Sequence, residues 1–153
     1  MERAPQVLPG FEPVIADIVR ETLQHQGVEV VTGVGIEAIE QDGEALRVRA
    51  GGQSLAADMV LLAMGVRPNV SLAQAAGIQL GASGAIAVDA QQRTNLPHIY
   101  AAGDCAEAYH RVLKQPVFIP LGTTANKQGK VAGANAAGAQ ERFGGIVGTA
   151  GFK

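Results

Sequence analysis

The run Met59–Val60–Leu61–Leu62–Ala63 has no polar residue to turn toward water. A strand with that pattern is covered on both faces, the situation found in parallel sheets flanked by helices. The run ends in Gly65–Val66–Arg67–Pro68–Asn69, a turn with the look of a domain junction. A similar run, His98–Ile99–Tyr100–Ala101–Ala102, stops at Gly103–Asp104. The expected class is therefore α/β.

The segments around these runs divide the chain. Before the first run, Glu12 to Gln26 carries Val14, Ile15, Ile18, Val19 and Leu23 at helical spacing, with Pro13 at the entry and Gly27 at the exit. Val28–Glu29–Val30–Val31 then reads as a short strand. From Gly35 to Ala57 the period changes to two. Ile36, Ala38 and Glu40 precede an Asp42–Gly43 turn, Leu46, Val48 and Ala50 follow it, and Gly51–Gly52 leads to a third strand. After the first run, Ser71 is placed to cap a short helix ending at Gly77, and Ile86 to Asp89 reads as a strand. A final helix is expected from about Thr124 to Gly138, capped by Thr123 or Thr124, and Phe143 to Lys153 has the composition of the start of a strand. Two short strands and two helices in the second half are too few to cover a parallel sheet. The chain also opens on a loop and a helix with no strand ahead of it. Both features predict elements supplied from outside this sequence.

Composition narrows the function classes. Hydrophobic residues make up 47% and charged residues 17% of 153 residues, which is a globular and not a disordered balance. With a net charge of −2 and no Lys/Arg run, neither nucleic acid nor an anionic membrane is the expected partner. The lone Cys105 excludes an internal disulfide or a redox cysteine pair and fits a reducing, cytoplasmic setting. His98 and His110 are too isolated for a metal site, and His25 sits at a helix end. Arg47 and Arg49 alternate with apolar residues and read as the wet face of the hairpin, while Lys127 and Lys130 read as exposed helix lysines.

The segment Thr94–Asn95–Leu96–Pro97–His98–Ile99–Tyr100–Ala101–Ala102–Gly103–Asp104–Cys105–Ala106 carries the most chemistry. A strand that delivers Gly103–Asp104 at its C-terminal edge puts a close-approach backbone and a hydrogen-bond acceptor where α/β sheets bind ligands. Alone, a Gly-Asp pair is more simply a strand end with a turn-capping carboxylate. The whole segment, however, resembles the second FAD-binding motif of the FAD-dependent pyridine nucleotide-disulfide oxidoreductases. The stretch Pro120–Leu121–Gly122–Thr123–Thr124–Ala125–Asn126–Lys127–Gln128–Gly129 resembles the family's helix start facing the flavin ring, in wording closest to the CoA-disulfide reductase, NADH oxidase and NADH peroxidase branch. Without that context it would read as an Ala/Gly-rich packing helix. Leu61 to Asn69 is similar to the strand and turn closing the inserted NAD(P)H domain, and Phe143 to Thr149 to the first strand of the interface domain.

The resemblance implies a partial two-dinucleotide-binding, Rossmann-like fold. Residues 1–66 correspond to the C-terminal part of the NAD(P)H-binding domain, residues 67–142 to that of the FAD-binding domain, and residues 143–153 to the start of the dimerisation domain. It implies that Asp104 binds the flavin ribityl chain beside Gly103, and that Leu121, Gly122, Thr123 and Thr124 face the ring. It gives Glu2 the adenine ribose and lets Gly65 lie against nicotinamide or flavin. The expected cofactors are FAD and NAD(P)H, and the expected partner is a second copy or missing segments of the same enzyme. No Gly-x-Gly-x-x-Gly loop occurs in the sequence, and Cys105 follows the Gly-Asp motif, so it is a small packing residue and not the redox thiol. The implied role is a piece of an oxidoreductase passing hydride from NAD(P)H through FAD to a disulfide, oxygen or peroxide, inactive alone. The alternative is a non-enzymatic module that folds by self-association or by pairing with a partner chain.

Overall fold

The computed structural model describes residues 1–149. The chain is α/β and divides into two compact units, Met1–Ala63 and Met64–Lys153.

In the first unit, helix α1 spans Pro13–His25, with Pro13 at its first turn and Glu12 at the N-cap. The helix forms where proline entry and glycine exit bracket a good periodic run, but its apolar stripe is not covered. Only Ala16 is buried, and Val14 and Ile18 stay 64% and 57% exposed. The segment Val28–Val31, expected as a strand, forms no ladder. The Glu2 N–H donates to the Val31 carbonyl, the Val34 N–H donates to the Glu2 carbonyl, and Glu2 and Thr32 form an isolated parallel bridge.

The period-two segment folds as read. Strands β1 (Ile36–Asp42), β2 (Ala45–Ala50) and β3 (Gln53–Ala57) form an antiparallel sheet in the order β1-β2-β3. Asp42 pairs with Ala45, so the hairpin loop is Gly43–Glu44, one residue beyond the Asp42–Gly43 turn expected. Val48 and Ala50 point to the buried side at 7% and 1% exposure. On the wet face Arg47 pairs with Asp42, and Arg49 with Glu40 at 3.0 Å. Such half-exposed pairs fix the face without adding much stability.

The run Met59–Ala63 overturns its expectation. It forms no strand, and Met59 and Leu61 are 83% and 88% exposed. Among the described residues no strand lies beside it, and an apolar run without hydrogen-bonding neighbours has no ladder to join.

In the second unit, helix α2 (Ser71–Ala75) starts from Val70 without a side-chain cap, so Ser71 is its first residue and not its cap. The segments 86–89 and 98–102 are held by bridges rather than ladders. Ile86 bridges Ala106 in parallel, and Arg93 bridges Tyr100 in antiparallel fashion. Ile86, Ala101 and Ala106 make the core, with Val70, Ala73, Ile78, Leu80, Val88 and Cys105 packed on it. A two-stranded hairpin, β4 (Ala108–His110) and β5 (Gln115–Val117), was not anticipated from the pattern. Helix α3 spans Gly122–Ala136, two residues earlier than expected at each end, with Leu121 at the N-cap and no capping side chain, so neither Thr123 nor Thr124 caps it. Ile146 bridges His110 in parallel, which accounts for part of the strand expected from Phe143; residues 150–153 of that expectation lie outside the described residues. No helix among the described residues is long and apolar enough to cross a membrane.

Candidate functional site

The loop that carries Gly103–Asp104 is held from two sides. From the core side, the Ile86 N–H donates to the Cys105 carbonyl at 2.8 Å and the Glu107 N–H donates to the Ile86 carbonyl at 2.9 Å. From the helix side, the side chain of Gln128 clamps it. Its Oε1 accepts from the Gly103 N–H at 3.0 Å, and its Nε2 donates to the Glu107 carbonyl at 2.9 Å. Gln128 is completely buried, so both backbone groups depend on this one amide for a partner.

Gly103 has φ +81°, and a Cβ there would sit 3.4 Å from Cβ of Ala125. The left-handed backbone and the close approach both favour glycine. The consequence is positional: the Gly-Asp loop abuts the first turn of α3. Asp104 is exposed, and no group among the described residues donates a hydrogen bond to its carboxylate. In that same first turn the Thr124 and Ala125 N–H groups return to the Leu121 carbonyl, each at 2.9 Å. Gly122 and Thr123 are exposed, Leu121 is half-buried and Thr124 is buried. An exposed acceptor thus stands beside an uncapped, positively polarised helix end, a combination suited to a polyol hydroxyl next to an electron-rich group.

Gly65 and Glu2 are the other expected site residues. Gly65 has φ +76° and is exposed, with no neighbour within 4 Å of where a Cβ would be. Glu2 lies in the first unit; its Oε1 accepts from the Ala4 N–H at 2.8 Å, which folds the carboxylate back on its own loop. Cys105 is half-buried against the core, with its Sγ 3.4 Å from the Ala102 carbonyl. No cluster of three or more His, Cys, Asp or Glu able to hold a metal occurs among the described residues.

Sequence reasoning named Thr124 but missed the roles of Gln128, Asn135 and Glu107 in holding the site. Thr124, Gln128 and Asn135 are the buried residues of α3, and all are polar. Asn135 donates to the Gln91 and Glu141 carbonyls at 2.8 and 2.9 Å, and its own carbonyl accepts from the Tyr100 hydroxyl at 3.2 Å. Glu107, 5% exposed, accepts from the Ser83 hydroxyl and N–H. The signal was present as a polar stripe at spacings of four and seven along α3. A search for apolar periodicity passes over it.

Comparison with known proteins identifies the family. Residues 1–140 match the model of the pyridine nucleotide-disulphide oxidoreductase family, and the chain belongs to that family. It is 41% identical over 144 residues to an NADH oxidase of Methanocaldococcus jannaschii, covering 94% of this chain and 32% of that protein. The solved NAD-dependent persulfide reductase of A. fulgidus superposes with a TM-score of 0.87 at 38% identity, over 99% of this chain and 29% of the other. An FAD-dependent pyridine nucleotide-disulphide oxidoreductase from Desulfovibrio vulgaris gives 0.81 at 40% identity, over 93% and 36%. The chain therefore carries part of the Rossmann-like fold of FAD- and NAD(P)H-dependent oxidoreductases, and it spans about a third of the length of these relatives.

Proposed function

We propose that this chain supplies flavin- and nicotinamide-contacting surface to an oxidoreductase that passes hydride from NAD(P)H through FAD to a disulfide, oxygen or peroxide acceptor. The observation that carries the reading is the juxtaposition of the Gly103–Asp104 loop with the uncapped start of α3 through Ala125. The residues fit the group. The Asp104 carboxylate, exposed and without a donor, is free to accept a hydrogen bond from a ribityl hydroxyl. Gly103 keeps the backbone low, and residues Leu121 to Thr124 offer the helix dipole to the ring edge where reduced flavin holds negative charge. Bound flavin would supply the hydride relay; the protein groups orient it and favour its reduced form. Glu2 is assigned to the adenine ribose and Gly65 to close backbone approach by nicotinamide or flavin. In this reading residues 1–66 belong to the NAD(P)H-binding domain, residues 67–142 to the FAD-binding domain and residues 143–153 to the dimerisation domain of a homodimer working in the cytoplasm.

The sequence holds no glycine-loop motif for a dinucleotide pyrophosphate. The chain alone is accordingly proposed to be inactive. The test is a chimera in which this segment replaces the matched stretch of the Methanocaldococcus jannaschii NADH oxidase. A yellow product that oxidises NADH supports the reading; a folded, colourless product contradicts it.

A second reading draws on the uncovered apolar surface of the first unit, where Met59 and Leu61 are 83% and 88% exposed. In it the chain is a non-enzymatic module that folds by pairing with itself or with a partner chain. A colourless self-associated species without NADH-dependent activity favours this alternative.

A further inference from the structure

The second unit contains a cavity of about 260 Å³ between the first turns of α3 and the segment 145–149. Among the described residues its charged lining is Arg111 and Lys127, with no carboxylate. Both cations are exposed, and neither forms an ion pair among the described residues. Thr123 and Thr124 complete the helix side. Thr124 is 7% exposed, and its hydroxyl has no hydrogen-bond partner among the described residues.

The opposite wall is built tightly. The Arg111 N–H donates to the Ile146 carbonyl at 2.8 Å and the Ile146 N–H to the Tyr109 carbonyl at 2.9 Å, which ties the cation's backbone to that wall. Gly145 has φ +84°, and a Cβ there would lie 2.6 Å from the Tyr109 carbonyl oxygen and 3.1 Å from Cγ of Arg111. Only glycine lets this segment close on the arginine stem. Two unpaired cations, the unpartnered but accessible hydroxyl of a mostly buried threonine and an uncapped helix start thus line one small cavity.

We propose that this cavity is a binding site for a tetrahedral oxyanion of the phosphate class, held by Arg111 and Lys127, with the Thr124 hydroxyl donating to it. Arginine offers a forked pair of donors to such an oxyanion, and the helix end adds favourable potential. The cavity is below the ordinary size of a pocket for a whole organic ligand, so it takes a free phosphate or the phosphate end of a nucleotide. The site shares Thr123, Thr124 and the α3 start with the flavin reading but does not rest on it, because the Arg111 and Lys127 side chains are given no role there.

The experiment is a titration of the full chain with inorganic phosphate, followed by amide NMR at constant ionic strength set with chloride. Saturable shifts at Thr123, Thr124 and Gly148 are expected. Arg111→Gln and Lys127→Gln should each weaken binding about tenfold, and the isosteric Thr124→Val should weaken it less. Amide dispersion checks that each variant folds; Lys127→Gln, on an exposed helix position, carries the test if Arg111→Gln does not fold. Parallel titrations with ADP and adenosine separate the sources. Tighter binding of ADP assigns the site to a nucleotide phosphate, and equal binding of ADP and phosphate assigns it to the free ion. Non-saturating shifts, shifts unaltered in the variants, or adenosine moving the same amides would overturn the proposal.

Discussion

Gln128 is the residue on which the local geometry turns, because one side chain satisfies both the Gly103 N–H and the Glu107 carbonyl. Gln128→Leu keeps the bulk but leaves the buried Glu107 carbonyl and the half-buried Gly103 N–H without partners, each costing about 1–3 kcal/mol. Chemical denaturation should show a loss of about 3 kcal/mol, with unchanged slope. A loss below about 0.5 kcal/mol would mean that water reaches both groups. The Gly103–Asp104 pair was legible in the sequence because glycine followed by a carboxylate at the end of an apolar run is a local signal. Gln128 was not, because a buried glutamine looks like any exposed helix residue until its partners, 21 and 25 positions away, are known. Glu107 stayed hidden for the same reason, since Ser83, its donor, lies 24 positions away.

At the scale of elements, local rules succeeded and non-local ones did not. Helix α1 and the β1-β2-β3 sheet follow from helix brackets and period-two alternation, and both lie where the sequence puts them within one or two residues. The run Met59–Ala63 was read as a covered strand, yet a strand of that kind exists only when neighbours hydrogen-bond to it, and none does among the described residues. Two substitutions separate these cases. Val48→Ala, in the buried face of β2, should cost about 1–2 kcal/mol by denaturation, as a truncated core side chain does. Leu61→Ser, at 88% exposure, should change the stability of the dilute, unassociated chain by less than about 0.5 kcal/mol. A large cost at Leu61 under those conditions would show that the run is covered within the monomer. The start of α3 carries a further lesson. Threonines suggested a cap, but the helix begins before them from Leu121 and has no side-chain cap.

For the whole molecule, family membership was legible because two long motifs occur in order, and the family match over residues 1–140 agrees. The chain spans about a third of its relatives, and in its described residues apolar side chains such as Val14, Ile18, Met59 and Leu61 stand in solvent. Surface of that kind associates. Light scattering of the purified chain should give a mass at least twice that of the 15.7 kDa monomer, and Leu61→Ser should lower the associated fraction. A monodisperse monomer at high concentration would contradict this. Equilibrium dialysis of the chain alone should give weak FAD binding or none, since the sequence holds no glycine-loop motif for the pyrophosphate. Tight stoichiometric uptake would overturn that expectation.

The Asp104 carboxylate is the proposed flavin ligand on which the assigned function most depends. The direct measurement is the ratio of FAD to protein, read from the visible spectrum after exhaustive dialysis, in the chimeric oxidase with and without Asp104→Ala. The carboxylate accepts nothing from the chain itself, so the substituted enzyme should keep its fold and melting temperature while losing most of its flavin. Equal, stoichiometric flavin in both proteins would contradict the assignment.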